Sequence, residues 1–190
     1  MLATGLVAGA VIASAPALAQ APEQPAQAAD AGRTEAADAG LGQTPREKAA
    51  AQAKKDVDVA GIHLQVARLY LAGLYGLAGA PSTWNREHGV ALFTQAQNAL
   101  TDADRQLAEL QGLALGNWPE ARDPLSRARS TLVRAQGQLR SLSVPLSTGG
   151  GQDQAGKSVI GQIYKSLDSS RDELNAAARA MGVDTKLRTP

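Results

Sequence analysis

The chain is predicted to be all-α, an antiparallel up-down-up-down four-helix bundle preceded by a signal peptide and a disordered linker. Three observations carry that prediction. Apolar residues recur at alternating spacings of three and four along most of the second half of the sequence, the row that one face of a packed helix requires. Aromatic residues make up only 3% of the 190 positions, with Ala and Leu supplying most of the apolar content, which suits close helix contacts rather than a β-sandwich. The breaks between the periodic segments carry Gly or Pro: Gly79-Ala80-Pro81, Leu115-Gly116, and Pro145 with three consecutive glycines.

The N-terminal segment carries the first signal. Leu2 to Ala15 holds no charge, and Ala17-Leu18-Ala19 then offers small residues at the two positions that a signal peptidase pocket admits, with Gln20 following. Residues 1–19 are therefore expected to be a signal peptide cut between Ala19 and Gln20. A membrane anchor would need about 20 apolar residues, and this run is shorter and broken by Pro16. No Lys or Arg precedes it, the one feature of a leader that it lacks. No later segment is apolar enough to span, so the mature chain is expected to have no transmembrane segment and to be periplasmic or secreted.

Residues 20–44 form an Ala/Pro/Gln-rich stretch with Leu41 as its only large apolar residue. Such a composition buries too little surface to offset its ordering entropy, so it reads as a disordered linker. Thr44-Pro45-Arg46-Glu47 ends it with a capping box and Pro at the first helical position.

The bundle is expected over residues 45–182, with helices at about 45–78, 83–114, 118–143 and 156–181, and a tail at 183–190. The first helix is expected to bury Val59, Ile62, Val66, Leu69 and Gly73. The second carries Phe93, Ala96, Leu100, Ala103, Leu107, Leu110 and Ala114, and the third Trp118, Ala121, Leu125, Ala128, Leu132, Ala135, Leu139 and Leu142. The fourth carries Ile160, Ile163, Leu167, Ser170, Leu174, Ala177 and Met181. Ser82 or Thr83 is expected to cap the second helix, and Asn117 with Glu120 to form a capping box for the third, whose start lies at Trp118 or at Pro124. Met181-Gly182-Val183 reads as a Schellman stop.

Composition and motifs exclude more chemistry than they suggest. Formal net charge is +1, which gives no bulk field toward nucleic acid. With no Cys, disulfides, thiolate metal sites and a thiol nucleophile are excluded. Gly151 to Ser158 fits the phosphate-loop pattern, yet that motif needs a preceding strand and a surrounding sheet, so the match is read as a glycine-rich loop entering a helix. His63 and His88, the only imidazoles, stand more than about ten ångströms apart along the bundle axis at ~1.5 Å per residue. They are read as surface residues, and no metal or cofactor is expected.

The candidate contact surface is the aromatic cluster Tyr70, Tyr75 and Trp84, together with Arg122 and Arg129 on the arginine-rich third helix. The arginines are otherwise a solvated flank paired with Asp102, Asp104 and Glu109. These features point to a non-catalytic, exported protein that binds an unidentified protein partner in the envelope. A small-ligand or metal carrier is the alternative, and completion of the bundle by homodimerisation is left open.

Asn117-Trp118-Pro119 opening an arginine-rich helix within Leu110–Leu132, and Lys165-Ser166-Leu167-Asp168 within Lys157–Ala178, resemble the PsbQ family of lumenal four-helix-bundle proteins. In that family a further helix follows, where this chain has its extra helix on the N-terminal side. The resemblance implies a helical-bundle fold and, as a function, an extrinsic subunit of a photosynthetic membrane complex located in the lumen.

Overall fold

A computed structural model describes residues 44–79, 85–143 and 154–185. The expected signal peptide with its Ala19–Gln20 cut, the linker, Trp84, Gly151–Asp153 and the last five residues of the tail lie outside them. The described residues are all-helical: α1 (Pro45–Gly79), α2 (Arg86–Asn117), a short 3-10 turn (Pro119–Ala121), α3 (Arg122–Ser141) and α4 (Gln154–Ala180), with no strand among them. No helix of this set is long and apolar enough to cross a membrane.

Local chemistry explains the ends. At the start of α1 the Thr44 amide donates to Glu47 Oε2 at 2.7 Å and the Glu47 amide donates to Thr44 Oγ1 at 3.2 Å, so each residue satisfies an amide that the first turn leaves without a carbonyl. α2 begins later than expected, because Asn85 caps it by accepting from the His88 amide at 3.1 Å. It also runs further, to Asn117, whose side-chain amide donates to the Leu113 carbonyl at 2.9 Å. The expected Asn117–Glu120 capping box therefore does not form: Asn117 is still helical. α3 starts at Arg122, between the two starts considered, after the 3-10 turn opened by Pro119. Pro124 falls in its first turn, where a missing N–H leaves no helical bond unmade. α4 closes at Gly182, whose φ of +68° is open to glycine at little cost. The Val183 amide donates to the Ala178 carbonyl and the Gly182 amide to the Arg179 carbonyl, the paired bonds of a Schellman stop.

α1 and α3 each pack against α2 and α4. Partner numbers rise on one helix as they fall on the next. Gln136 reaches the Leu100 carbonyl and Arg129 reaches Asp104 between α3 and α2. Between α3 and α4, Arg127 meets Glu173 and Gln138 meets Gln162. The expected rows of α3 and α4 are buried throughout, and those of α2 from Ala96 to Ala114.

α1 is the exception. Its buried row is Ala53, Val57, Ala60, Leu64, Ala67, Leu71, Leu74 and Ala78, while Ile62 is 57% exposed and Leu69 65% exposed. The row expected to be its core face points outward. Two apolar rows share this helix, and the inner one is the longer, an unbroken three-four alternation whose small alanines let neighbouring helices close on it.

Candidate interaction surface

The outward row of α1 makes the surface. Val59 and Val66 are partly exposed beside Ile62 and Leu69, and the row continues to Gly73 and Gly76. Between Val59 and Gly79 the exposed positions are Ile62, Gln65, Leu69, Ala72, Tyr75, Gly76 and Gly79, and none carries a charge. The one charged side chain in that stretch, Arg68, turns to α4, where it pairs with Asp168 and lies 5.3 Å from the centroid of the Tyr164 ring. Tyr164 in turn donates to the Arg68 carbonyl at 3.4 Å, and its burial raises the phenol above its ordinary value, with Arg68 opposing the rise.

α2 extends the uncharged surface. Leu92 lies over Gly73, with a side-chain carbon 3.0 Å from where a Cβ on that glycine would stand, so Gly73 is the notch that admits it. No residue from Gly89 to Thr101 is charged. The outer faces of α3 and α4 differ, with Arg122, Arg127, Arg134, Arg140, Lys165 and Asp172 all exposed. An isolated exposed Leu or Val needs no explanation, but a contiguous uncharged face on one side of an otherwise charged surface does.

Of the residues expected to form a contact surface, Tyr70, Tyr75, Arg122 and Arg129 are described, and their surroundings differ. Tyr70 and Tyr75, five apart on α1, stand about 140° apart around it. Tyr70 packs against the core, whereas Tyr75 takes the ammonium of Lys157 5.8 Å from its ring centroid. Arg122 is exposed at the start of α3. Arg129 donates to Asp104 at 2.8 Å, and that hydrogen bond holds its guanidinium more firmly protonated. Lys157, the lysine of the phosphate-loop match, leans on Tyr75 and approaches Gly79 from within α4. Sequence reasoning missed Ile62 and Leu69 as surface because it placed them in the core. The missed signal was the second three-four row on the same helix, the alanine-rich one from Ala53 to Ala78.

One carboxylate is buried beside this helix pair. Asp56, 6% exposed, accepts from Gln52 Nε2 at 2.7 Å. Burial raises its pKa above the ordinary 3.8; the Gln52 hydrogen bond and Lys55 oppose the rise, and Glu109 across on α2 adds to it. The native state thus holds the proton more tightly than the unfolded chain, and stability falls as pH climbs from 3.8 through the raised value. Asp56→Asn keeps an acceptor for Gln52 and removes the buried charge. It is expected to raise the urea midpoint at pH 7, with the gain shrinking as pH falls toward 3.8; an equal gain at both pH values would assign the effect to something other than the charge.

Among the described residues no group of three or more His, Cys, Asp or Glu side chains is placed to hold a metal ion. An open recess of about 450 Å³ lies at the end of α4, lined by Asp172, Asn175, Arg179, Val183, Asp184 and Thr185. It is polar and unenclosed, unlike the apolar cavities that bury small ligands. Comparison with protein-family models, curated proteins and solved structures finds no match for this chain.

Proposed function

We propose that this is an exported, non-catalytic helical protein of the cell envelope that binds another protein through the outer face of α1 and the adjoining part of α2. Its body is an antiparallel up-down-up-down four-helix bundle, a reading supported by the reversed order of contacts between neighbouring helices. The apolar leader cut after Ala19 would deliver it, and residues 20–44 would tether the bundle. One observation carries the functional reading: five turns of α1 present Ile62, Leu69 and no charge to the outside, on a molecule whose α3 and α4 are charged there. Protein contact surfaces have such charge-depleted apolar centres with polar rims.

The test is a photo-crosslinking amino acid placed at Leu69, with Arg134 on α3 as the comparison position, irradiated in intact cells. Protein adducts identified by mass spectrometry at position 69 and few at 134 are expected. The identity of the adduct separates a photosystem subunit from other envelope proteins. Equal adducts at both positions, or none, would remove the surface from consideration.

A further inference from the structure

We infer that the occupant of this face is a second copy of the same chain, paired through α1 against α1 in antiparallel sense; the inference rests on the proposed protein-binding role of that face. Three features argue for it. The outward row Val59, Ile62, Val66, Leu69, Gly73 and Gly76 keeps the same three-four alternation as the buried rows, the pattern that meshes with another helix of like period. A twofold axis between Val66 and Leu69 makes the row complementary to itself. Leu69 then faces Val66 of the second copy, Ile62 meets the Leu92 side chain that already fills the notch at Gly73, and Val59 faces Gly76, above which no described atom stands within 4 Å. Leu69 thus meets a smaller residue, Val59 an open notch and Ile62 an apolar side chain, and the same pairs recur on both sides of the axis, as an isologous interface requires.

The third feature is charge. Two copies of a charged face would repel on approach, whereas this row carries no charge, and Arg68 beside it is already held by Asp168. The row is about 25 Å long at 1.5 Å per residue and one helix wide. Even with Leu92 and the uncharged part of α2 this falls below the ~800 Å² per partner of a standard interface. The dimer is therefore weak and concentration-dependent.

Sedimentation velocity of the purified chain over a hundredfold range of concentration tests this. The wild type is expected to shift from monomer toward dimer, and Leu69→Glu to need at least tenfold more protein for the same shift, with an unchanged circular-dichroism spectrum. The absence of cysteine makes the register readable. Val66→Cys mixed with Leu69→Cys is expected to give a mixed disulfide under mild oxidation, while Ile62→Cys alone gives none, because antiparallel pairing holds its two copies far apart. A wild type that stays monomeric throughout, or a self-crosslinking Ile62→Cys variant, overturns the inference. If the chain is monomeric and Leu69 crosslinks a different protein in cells, the self-pairing fails and the protein-binding role stands. If Leu69 crosslinks no protein, both fail.

Discussion

Replacing Leu71 with alanine is expected to lower the unfolding free energy by about 2–5 kcal/mol, the range for truncating a fully buried leucine, whereas the same change at Leu69, two residues away, is expected to stay within about ±0.5 kcal/mol. Both are leucines on one helix, separated only by Tyr70. They differ only in direction: Leu71 is 0% exposed within the core and Leu69 is 65% exposed. Truncating Leu71 removes apolar surface from contact and leaves a cavity that Ala67, one turn away on the same buried row, is too short to fill. Urea unfolding, with the slope compared between variants to keep the two-state assumption in view, reads the difference. The measurement is done at low protein concentration, so that association does not add to the apparent stability of the parent. Equal losses at both positions would mean that α1 is turned differently, and would take the proposed surface with it.

That pair also marks where sequence reading succeeds and where it stops. In α2, α3 and α4 there is one apolar row, bounded by polar and charged residues, and reading it as the core face required no choice. Ser170 is polar yet lies in step with Ile163, Leu167, Leu174 and Ala177, and the period placed it inside. α1 offers two rows. The outer one carries larger, β-branched side chains, so ranking by side-chain hydrophobicity selects it. The inner one relies on Ala53, Ala60, Ala67 and Ala78, whose value lies in letting other helices approach, and that depends on what those helices present. Asp56 on the inner edge also reads as a surface residue until Gln52 is seen to hold it. Helix ends show the same divide. Thr44 with Glu47, and Gly182 with Val183, are local devices legible from spacing alone. The end of α2 was misplaced because Trp118-Pro119 reads as a helix start, while in the folded chain Trp118 is a buried hinge between α2 and the 3-10 turn. The proposed surface was illegible for one reason only: it is the face that the choice of row on α1 assigned to the interior.

Enlarging Ser170 to leucine is expected to cost at least about 1–3 kcal/mol, the usual range for over-packing a filled core, even though leucine is the more apolar residue and the other large seam positions of α4 carry Ile or Leu. Ser170 is 0% exposed, and its hydroxyl donates to the Ala128 carbonyl on α3 at 2.9 Å. A side-chain oxygen reaching the backbone of the facing helix means that α3 and α4 run close together here, with the small, fully buried Ala128 supplying the carbonyl. Arg127 with Glu173 on one side of the crossing, and Gln138 with Gln162 further along, tie the same two helices. A leucine has no room unless α3 and α4 separate, and separation stretches both ties and loosens the row from Leu125 to Leu139. Ser170→Ala supplies the contrast. It deletes the hydroxyl without adding volume, and the Ala128 carbonyl still accepts from Thr131 Oγ1 at 2.8 Å, so its loss is expected to be no more than about 1 kcal/mol. Thermal and urea unfolding of the two variants decide the matter. A stabilised Ser170→Leu would mean that the crossing holds free space, and that serine stands there for some reason other than closeness of the helices.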